Sequence, residues 1–354
     1  MAAVKKKGGL PKWKKVLMVF LTIVVLGGTW AGYEFYATVF SPNVVMEAEE
    51  GYFHIPSGAE LQDVADLLQE RGLIIHRSSF EWLARQFDYQ DNIRPGRYLL
   101  KNGMSNKDLL LLLRSGRQVP VKVTFNNIRL REELAGRVGA LLEVDSLELL
   151  NLMDDPVFTL DYGFEPEVFP TIFLPNTYEF YWNTSGEEFV EKMAKEYKKF
   201  WTAERKAKAK KLGLEQSEVS ILASIVEKES NYRSEHSTVA GVYLNRLRIG
   251  MPLQADPTLV FANRDFTAKR ILNKHKEIDS PYNTYRYKGL PPGPICIPDP
   301  RTIDAVLNAE QHRYIYFCAK ADGSGRHAFA TTYNEHLANA REFQRMLNRQ
   351  GVMQ

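Results

Sequence analysis

Two glutamates at the end of an apolar helix are the residues of this chain whose type and spacing best suit chemistry. Glu227 and Glu229 close the stretch Ile-Leu-Ala-Ser-Ile-Val-Glu-Lys-Glu. A helix that is apolar on nearly every side is a core helix, and burying an ionised carboxylate there is costly unless it is paired or neutralised. The pattern therefore predicts either structural ion pairs, with Lys228, Arg233 or Arg246, or a carboxyl group with a raised pKa.

Helix geometry separates the two acids. Successive residues rotate by about 100° around a helix, so Glu227 and Glu229 lie on opposite flanks of the apolar stripe. They cannot easily serve one reaction centre as an acid and base pair. Both lie in the last turn, where the helix dipole and partial burial raise a carboxyl pKa toward the range that a general acid needs. The rotation does not choose between them.

Several other chemistries find no support in the sequence. It contains no H-E-x-x-H, no zinc-spaced cluster of Cys and His, and no Walker A loop, so we expect no metal or other cofactor. Without the six lysines among its first fifteen residues, the chain has 40 basic and 43 acidic residues, which gives no support to a nucleic-acid partner. Cys296 and Cys318 lie in apolar surroundings and fit either a disulfide or two small buried side chains.

The N-terminal region has the pattern of a membrane anchor. A basic tail, residues 1–15, precedes an uncharged run from 16 to 33 with Trp30 and Tyr33 near its far end. This predicts a transmembrane helix over residues 16–36, a single pass in the cytoplasmic (inner) membrane and an extracytoplasmic, periplasmic remainder. A cleaved signal peptide is the alternative, but the run is longer than a usual signal core and lacks a clear cleavage site.

The rest of the chain predicts an α+β fold in three parts. Residues 50–118 contain short strand-turn-helix units that resemble LysM-like modules, which bind cell-wall glycan. Residues 119–215 form a connecting α+β region, in which 195–211 predicts one lysine-rich, solvated helix. Residues 216–350 predict a mixed α+β catalytic domain with two helices, irregular Pro- and Gly-rich loops, a β-hairpin and a final helix.

Ordered blocks in the last part resemble one family, the endolytic murein transglycosylases or YceG-like proteins. The blocks cover residues 222–229, 242–247, 249–251, 253–258, 282–285, 289–295 and 327–329. The resemblance implies that Glu227, the first acid of Glu-Lys-Glu, protonates the oxygen of a MurNAc–GlcNAc β-1,4 bond. The resulting carboxylate then takes the proton of the MurNAc C6 hydroxyl, which closes a 1,6-anhydro ring. Two-carboxylate hydrolases work differently because they consume water.

Five loop residues are further candidates for substrate binding. Gln254 and Asp256 suit hydrogen bonds to sugar hydroxyls or orientation of the acid, with stabilisation of a turn as the alternative. Tyr282, Asn283 and Tyr285 suit stacking on a glycan and hydrogen bonding to it, with a loop packed by its own aromatic rings as the alternative.

The leading hypothesis is a membrane-anchored endolytic lytic transglycosylase of nascent peptidoglycan. Its partners would be glycan strands and cell-wall synthases. A muramidase that cleaves the same bond with water is one alternative. A non-catalytic glycan-binding scaffold of cell-wall elongation is another.

Overall fold

The computed structural model describes residues 11–267 and 273–349. Most of the predicted basic tail, residues 1–10, and residue 350 at the end of the predicted last domain lie outside the described residues. The fold is mixed α and β, as predicted. The described residues divide into two compact units, residues 11–120 with 181–183 and residues 121–180 with 184–349.

One apolar helix begins the first unit. Helix α1 (Lys12–Phe40) has 29 residues and a mean hydropathy of 1.9 in its most apolar window, and no other helix among the described residues is long and apolar enough to cross a membrane. At about 1.5 Å per residue, such a helix exceeds the roughly 30 Å of a hydrocarbon core. Its last two turns contact the unit, since Val39 is buried and the Phe35 ring meets Trp82 edge-on. The helix is compatible with a single-pass anchor.

The rest of the first unit has two strands and three helices. The elements are β1 (Glu50–Ile55), α2 (Leu61–Glu70), α3 (Arg77–Gln86), β2 (Gly96–Lys101) and α4 (Asn106–Ser115). The strands pair antiparallel with Phe53 opposite Tyr98, and both side chains are fully buried. Alternate residues of each strand face the core, as the period of a half-buried strand requires. Ser105 caps α4 by accepting the Asp108 N–H.

The second unit begins with a strand pair and a helical region. The elements are β3 (Val121–Phe125), α5 (Arg131–Gly139), α6 (Ser146–Asp154), α7 (Pro156–Asp161), β4 (Asn176–Phe180), α8 (Gly186–Phe200) and α9 (Ala203–Leu212). Strands β3 and β4 pair antiparallel. The predicted single helix over 195–211 is wrong, because the chain breaks between α8 and α9. Trp201 is buried at the break, and Thr202 caps α9 by accepting the Arg205 N–H.

The remaining elements of this unit build the part that carries the two acids. They are α10 (Gln216–Glu229), α11 (His236–Arg248), α12 (Asp256–Ala262), α13 (Asn273–Lys276), α14 (Pro300–Leu307), β5 (Tyr316–Ala319), β6 (His327–Ala330) and α15 (Tyr333–Arg349). Strands β5 and β6 form the predicted antiparallel hairpin. Gly250 follows α11 with φ of 65°, the left-handed conformation that suits a glycine after a helix.

Helix α10 is the centre of this packing. All eight residues from Val219 to Val226 are buried, and the helix packs against α11 and α14. Ser224 also fixes a neighbouring loop, because its hydroxyl accepts the Ile295 N–H at 3.0 Å. The helix is therefore held on several sides, and its last turn has a defined orientation.

Candidate active site

The first acid of the triplet holds the start of α14. Glu227 Oε2 accepts the Asp299 N–H at 2.6 Å and the Thr302 hydroxyl at 3.1 Å. Asp299 is the residue that precedes α14, so the carboxylate satisfies a backbone donor that the helix itself leaves open. The next residue, Lys228, donates to Asn127 Oδ1 at 2.6 Å. Both residues are partly exposed, and each side chain bonds to another part of the unit.

The second acid faces another way. Glu229 Oε1 accepts the hydroxyl of Tyr243, on α11, at 2.5 Å, while Oε2 has no hydrogen bond within residues 11–267 and 273–349. The prediction that Glu227 and Glu229 lie on opposite flanks of α10 is thus confirmed by their separate partners. Among the described residues, neither acid forms an ion pair.

Arg246 does not pair with Glu229, contrary to the expectation. Its guanidinium donates to the carbonyls of Ile315, at 2.7 Å, and Leu253, at 2.6 Å. These bonds join α11 to the segment before β5 and to the loop before α12. The arginine is 7% exposed, and burial lowers its pKa. Its role in this structure is to position two loops around the cleft.

Glu229 lines a cavity of about 400 Å³. Helix α10, the loop before α12, the β5–β6 hairpin and α15 contribute to its walls. Its polar and aromatic lining includes Glu229, Tyr243, Gln254, Asp256, Tyr285, Tyr316, His327, Tyr333 and His336. Glu227 is not among the described residues that line it. This enclosure of mixed aromatic and hydrogen-bonding groups has the composition of a site for a polar ligand with apolar faces.

The environment of Glu229 favours its protonated form. Burial raises the pKa of this carboxyl to about 7, with a further upward effect from the nearby Asp256 charge. The Tyr243 hydroxyl and the Arg246 charge act in the opposite direction, because both stabilise the carboxylate. A pKa near neutrality keeps part of the group protonated at neutral pH, which is the condition for a general acid.

Three of the five loop candidates meet Glu229 in this cavity. Gln254 comes from the loop before α12 and Asp256 is the first residue of that helix, while Tyr285 donates its hydroxyl to Asp256 Oδ1 at 2.5 Å. Gln254 has φ of 51°, a left-handed conformation that costs energy for a residue other than glycine and is often found at functional sites. Its backbone N–H is tied to the carbonyl of Thr284, at 3.0 Å.

The other two candidates lie elsewhere. Tyr282 lines a separate cavity of about 180 Å³ and packs on Phe261, with ring centres 4.8 Å apart. Asn283 is fully buried, and its side chain holds the loop together by donating to the carbonyls of Lys276 and Ile278. For these two residues the contacts agree with the alternative of a loop that packs on itself.

A histidine and a second glutamate also belong to the cavity wall. His327, the first residue of β6, lines the cavity and places Nδ1 2.9 Å from Glu235 Oε2. His327 and Tyr243 lie in blocks that carry the family resemblance but had no predicted role, and Glu235 lies outside those blocks. Membership of a block was the only signal for His327 and Tyr243, and Glu235 had none, since the contacts of all three depend on how distant elements pack.

The two cysteines are free thiols. Cys296 is buried, and burial raises its pKa to about 12, whereas Cys318 lies partly exposed in the cavity wall. The prediction of small buried side chains therefore fits Cys296, and the alternative of a disulfide is wrong. In the described part of the chain, no group of His, Cys, Asp and Glu has the arrangement of a metal site.

Comparison with known proteins identifies the family. The model of the YceG-like family matches residues 53–342, which is most of the chain. The chain belongs to this family. Two relatives, both named endolytic murein transglycosylase, are from Bacillus subtilis and Streptococcus pneumoniae. The first is 28% identical over 302 residues, 80% of this chain and 82% of its own length. The second is 26% identical over 360 residues, 92% of this chain and 64% of its own length.

A solved member of the family supports the fold. The crystal structure of a yceG-like protein from Listeria monocytogenes matches with a TM-score of 0.56 and 26% identity. The match covers 82% of this chain and 98% of that protein. The YceG-like fold therefore extends over most of the elements described above.

Proposed function

We propose that this chain is a membrane-anchored endolytic lytic transglycosylase that cleaves the MurNAc–GlcNAc β-1,4 bond of peptidoglycan without water. The observation that carries the proposal is Glu229, a carboxyl group with a pKa of about 7 and one unbonded oxygen in a polar, aromatic cleft. The substrate class comes from the family relatives, which are named for cleavage of murein.

We propose Glu229, rather than the predicted Glu227, as the acid. Glu229 lines the cavity together with Gln254, Asp256 and Tyr285, whereas both bonds to Glu227 Oε2 come from the start of α14. A general acid must reach the atom that it protonates, and Glu227 is not among the described residues that line the cavity.

The reaction follows from one acid and an internal nucleophile. Glu229 protonates the glycosidic oxygen as the C1–O bond breaks and positive charge develops on the MurNAc ring. The C6 hydroxyl of the same sugar then bonds to C1 and gives its proton to a basic group in the cleft, which leaves a 1,6-anhydro end. Tyr285 suits stacking on a sugar face, while Gln254 and Asp256 suit hydrogen bonds to its hydroxyls.

The remaining parts suit a substrate held outside the membrane. Helix α1 supports a single-pass anchor in the cytoplasmic membrane with both units on the periplasmic side. The order β1, α2, α3, β2 within residues 50–118 supports a small LysM-like glycan-binding module. We assign residues 216–350 to a catalytic domain and residues 119–215 to the region that connects it to the module. Glycan strands are the substrate, and cell-wall synthases are proposed partners.

Mass analysis of glycan products tests the reaction. The full chain, purified in detergent, is incubated with uncrosslinked glycan strands, and the new ends are weighed. We expect anhydro ends, which are one water lighter than hydrolytic ends. Hydrated reducing ends from the wild-type chain would instead indicate a muramidase, and the absence of cleavage would indicate a glycan-binding scaffold.

Matched variants test the choice of acid. We expect Glu229→Gln to lower the cleavage rate by at least roughly 100-fold, because amide nitrogen cannot supply the proton. Glu227→Gln changes the neighbouring acid in the same way and should leave cleavage per folded molecule within a few-fold of wild type. A much larger loss of cleavage rate in Glu227→Gln than in Glu229→Gln would identify Glu227 as the general acid instead.

A further inference from the structure

The wall of the cleft contains a hydrogen-bonded Glu–His pair that the reaction above does not use. His327 Nδ1 lies 2.9 Å from Glu235 Oε2, and the backbone N–H of His327 donates to Oε1 of the same carboxylate at 3.0 Å. Both carboxylate oxygens are therefore engaged by one residue. His327 lines the same cavity of about 400 Å³ as Glu229.

This geometry selects one form of the imidazole. The carboxylate beside Nδ1 is an acceptor, so Nδ1 carries the ring proton and Nε2 of the neutral ring is an acceptor. Within the described ranges of the chain, Nε2 makes no hydrogen bond. His327 therefore presents an unused proton acceptor in a cleft built for a hydroxyl-rich ligand.

Glu235 is arranged to stay ionised behind the ring. It is 7% exposed, and burial alone would raise its pKa, yet the two bonds from His327 and a third from Ser230 lower it. The Ser230 hydroxyl donates to Oε2 at 2.9 Å. A buried carboxylate that remains charged fixes the ring and stabilises the imidazolium that forms when Nε2 takes a proton.

We propose that His327, oriented by Glu235, is the base that removes the proton of the MurNAc C6 hydroxyl as that oxygen attacks C1. The inference rests on the proposed function and divides its two proton transfers between two groups. A histidine backed by a carboxylate is a general solution for activating a hydroxyl nucleophile. In this cleft the hydroxyl belongs to the substrate.

The proton balance closes over one turnover. Glu229 gives its proton to the glycosidic oxygen as the C1–O bond breaks, and His327 Nε2 receives the C6 hydroxyl proton as the C1–O6 bond forms. The enzyme is left with Glu229 ionised and His327 protonated. Exchange with solvent returns a proton to Glu229 and removes one from His327, and no water enters either product.

A purely structural role for the pair makes a different prediction. The bond from the His327 backbone N–H to Glu235 already fastens the start of β6 to the segment before α11, and a side-chain substitution leaves it in place. Replacement of the ring therefore removes the base while it keeps that fastening. The type of product then distinguishes a base from a structural residue. If the C6 hydroxyl does not attack C1, the positively charged MurNAc ring can react with water and give a hydrated end.

The decisive experiment measures rate and product type for His327→Gln in the full chain with uncrosslinked glycan strands. We expect formation of anhydro ends to fall by roughly 100-fold, and hydrated ends to become a larger fraction of the products. His76→Gln is the matched control, since His76 is exposed in the other unit and its ring makes no hydrogen bond within the described residues. Thermal unfolding establishes that both variants are folded.

Rescue provides a second measurement. In His327→Ala, added imidazole should restore anhydro-end formation in proportion to its concentration, an effect that a structural role would not produce. A folded His327→Gln with wild-type rate and products, or a slower variant with unchanged product ratio and no rescue, would overturn the inference. Wild-type chain that forms no anhydro ends would instead reject the proposed function itself.

Discussion

At the scale of single residues, the two acids of the triplet differ in what their oxygens contact. One oxygen of Glu229 accepts the Tyr243 hydroxyl and the other is open to the cleft, whereas Glu227 Oε2 takes two donors from the start of α14. Burial raises the pKa of Glu229 to about 7, so its environment supports proton donation near neutrality. This contrast, rather than the identity of either side chain, distinguishes their proposed roles.

The pKa of Glu229 predicts the alkaline limit of activity. Only the protonated carboxyl can donate, so the rate of anhydro-end formation should fall about tenfold per pH unit once pH exceeds about 7.

The ionisation of Glu229 also affects the stability of the fold. Because its pKa is raised above the ordinary 4.5, its stabilising contribution is present at low pH and is lost as pH rises through about 7. Rate measurements and thermal unfolding across this range check both expectations.

The substitution Tyr243→Phe tests whether the ionisation of Glu229 sets the alkaline limit of activity. The tyrosine hydroxyl stabilises the carboxylate and so lowers the pKa of Glu229, and its removal should move the alkaline limit upward by roughly one unit. An unmoved limit in a folded variant would mean that a group other than Glu229 controls the pH dependence.

The choice of acid could not be made from sequence alone. Helix rotation correctly separated Glu227 from Glu229, because the angle per residue is a local property. Family resemblance then selected Glu227. What favours Glu229 is the partner of each carboxylate, and those partners lie on α11 and α14, far along the chain. Asn283 shows the same limit, since its polar type suited sugar binding but its burial ties it to its own loop.

At the scale of elements, the Glu227 carboxylate joins the end of α10 to the start of α14. Glu227→Ala would leave the Asp299 N–H and the Thr302 hydroxyl without their acceptor at the start of α14. We expect the free energy of unfolding to fall by about 1–3 kcal/mol, with cleavage per folded molecule nearly unchanged. Chemical denaturation measures the first quantity.

Glu70→Ala is the matched control for that measurement. Glu70 also ends a helix, is exposed and makes no hydrogen bond or ion pair within the described part of the chain. Its replacement should change stability by less than about 0.5 kcal/mol. Equal effects of the two substitutions would argue against a cap on α14.

Elements with strong local signals were predicted well. The hairpin of β5 and β6 follows from a short-range pattern, in which a Gly-rich turn separates two strand signals. The break between α8 and α9 does not, because the lysine-rich pattern continues through it. The helix ends there because Trp201 is buried. Burial depends on tertiary contacts, which helix propensity does not include.

At the scale of the whole molecule, α1 has two parts with different surroundings. Most of its apolar surface is exposed, while Val39 is buried and Phe35 meets Trp82. The sequence predicted the span over 16–36 from composition, but the helix continues to Phe40 because its end belongs to the first unit. The apolar helix and the unit therefore overlap along the chain.

Removal of residues 1–33 tests the proposed membrane anchor. We expect the shortened chain to stay in the supernatant after membranes are pelleted and to cleave soluble glycan strands within about threefold of the wild-type rate. A second chain that lacks residues 1–40 also loses Phe35 and Val39, so its thermal midpoint should be lower by several degrees. Equal midpoints would show that the last turn of α1 is not part of the unit.

The three consecutive residues that end α10 each attach to a different part of the second unit, Glu227 to α14, Lys228 to Asn127 and Glu229 to Tyr243. One residue inserted into this helix would turn its end by about 100° and break all three attachments together. A substitution removes one of these contacts at a time, whereas a change in the length of α10 disrupts all three at once. Members of a family built on this arrangement should therefore vary in the loops around the cleft and keep the spacing within this helix constant.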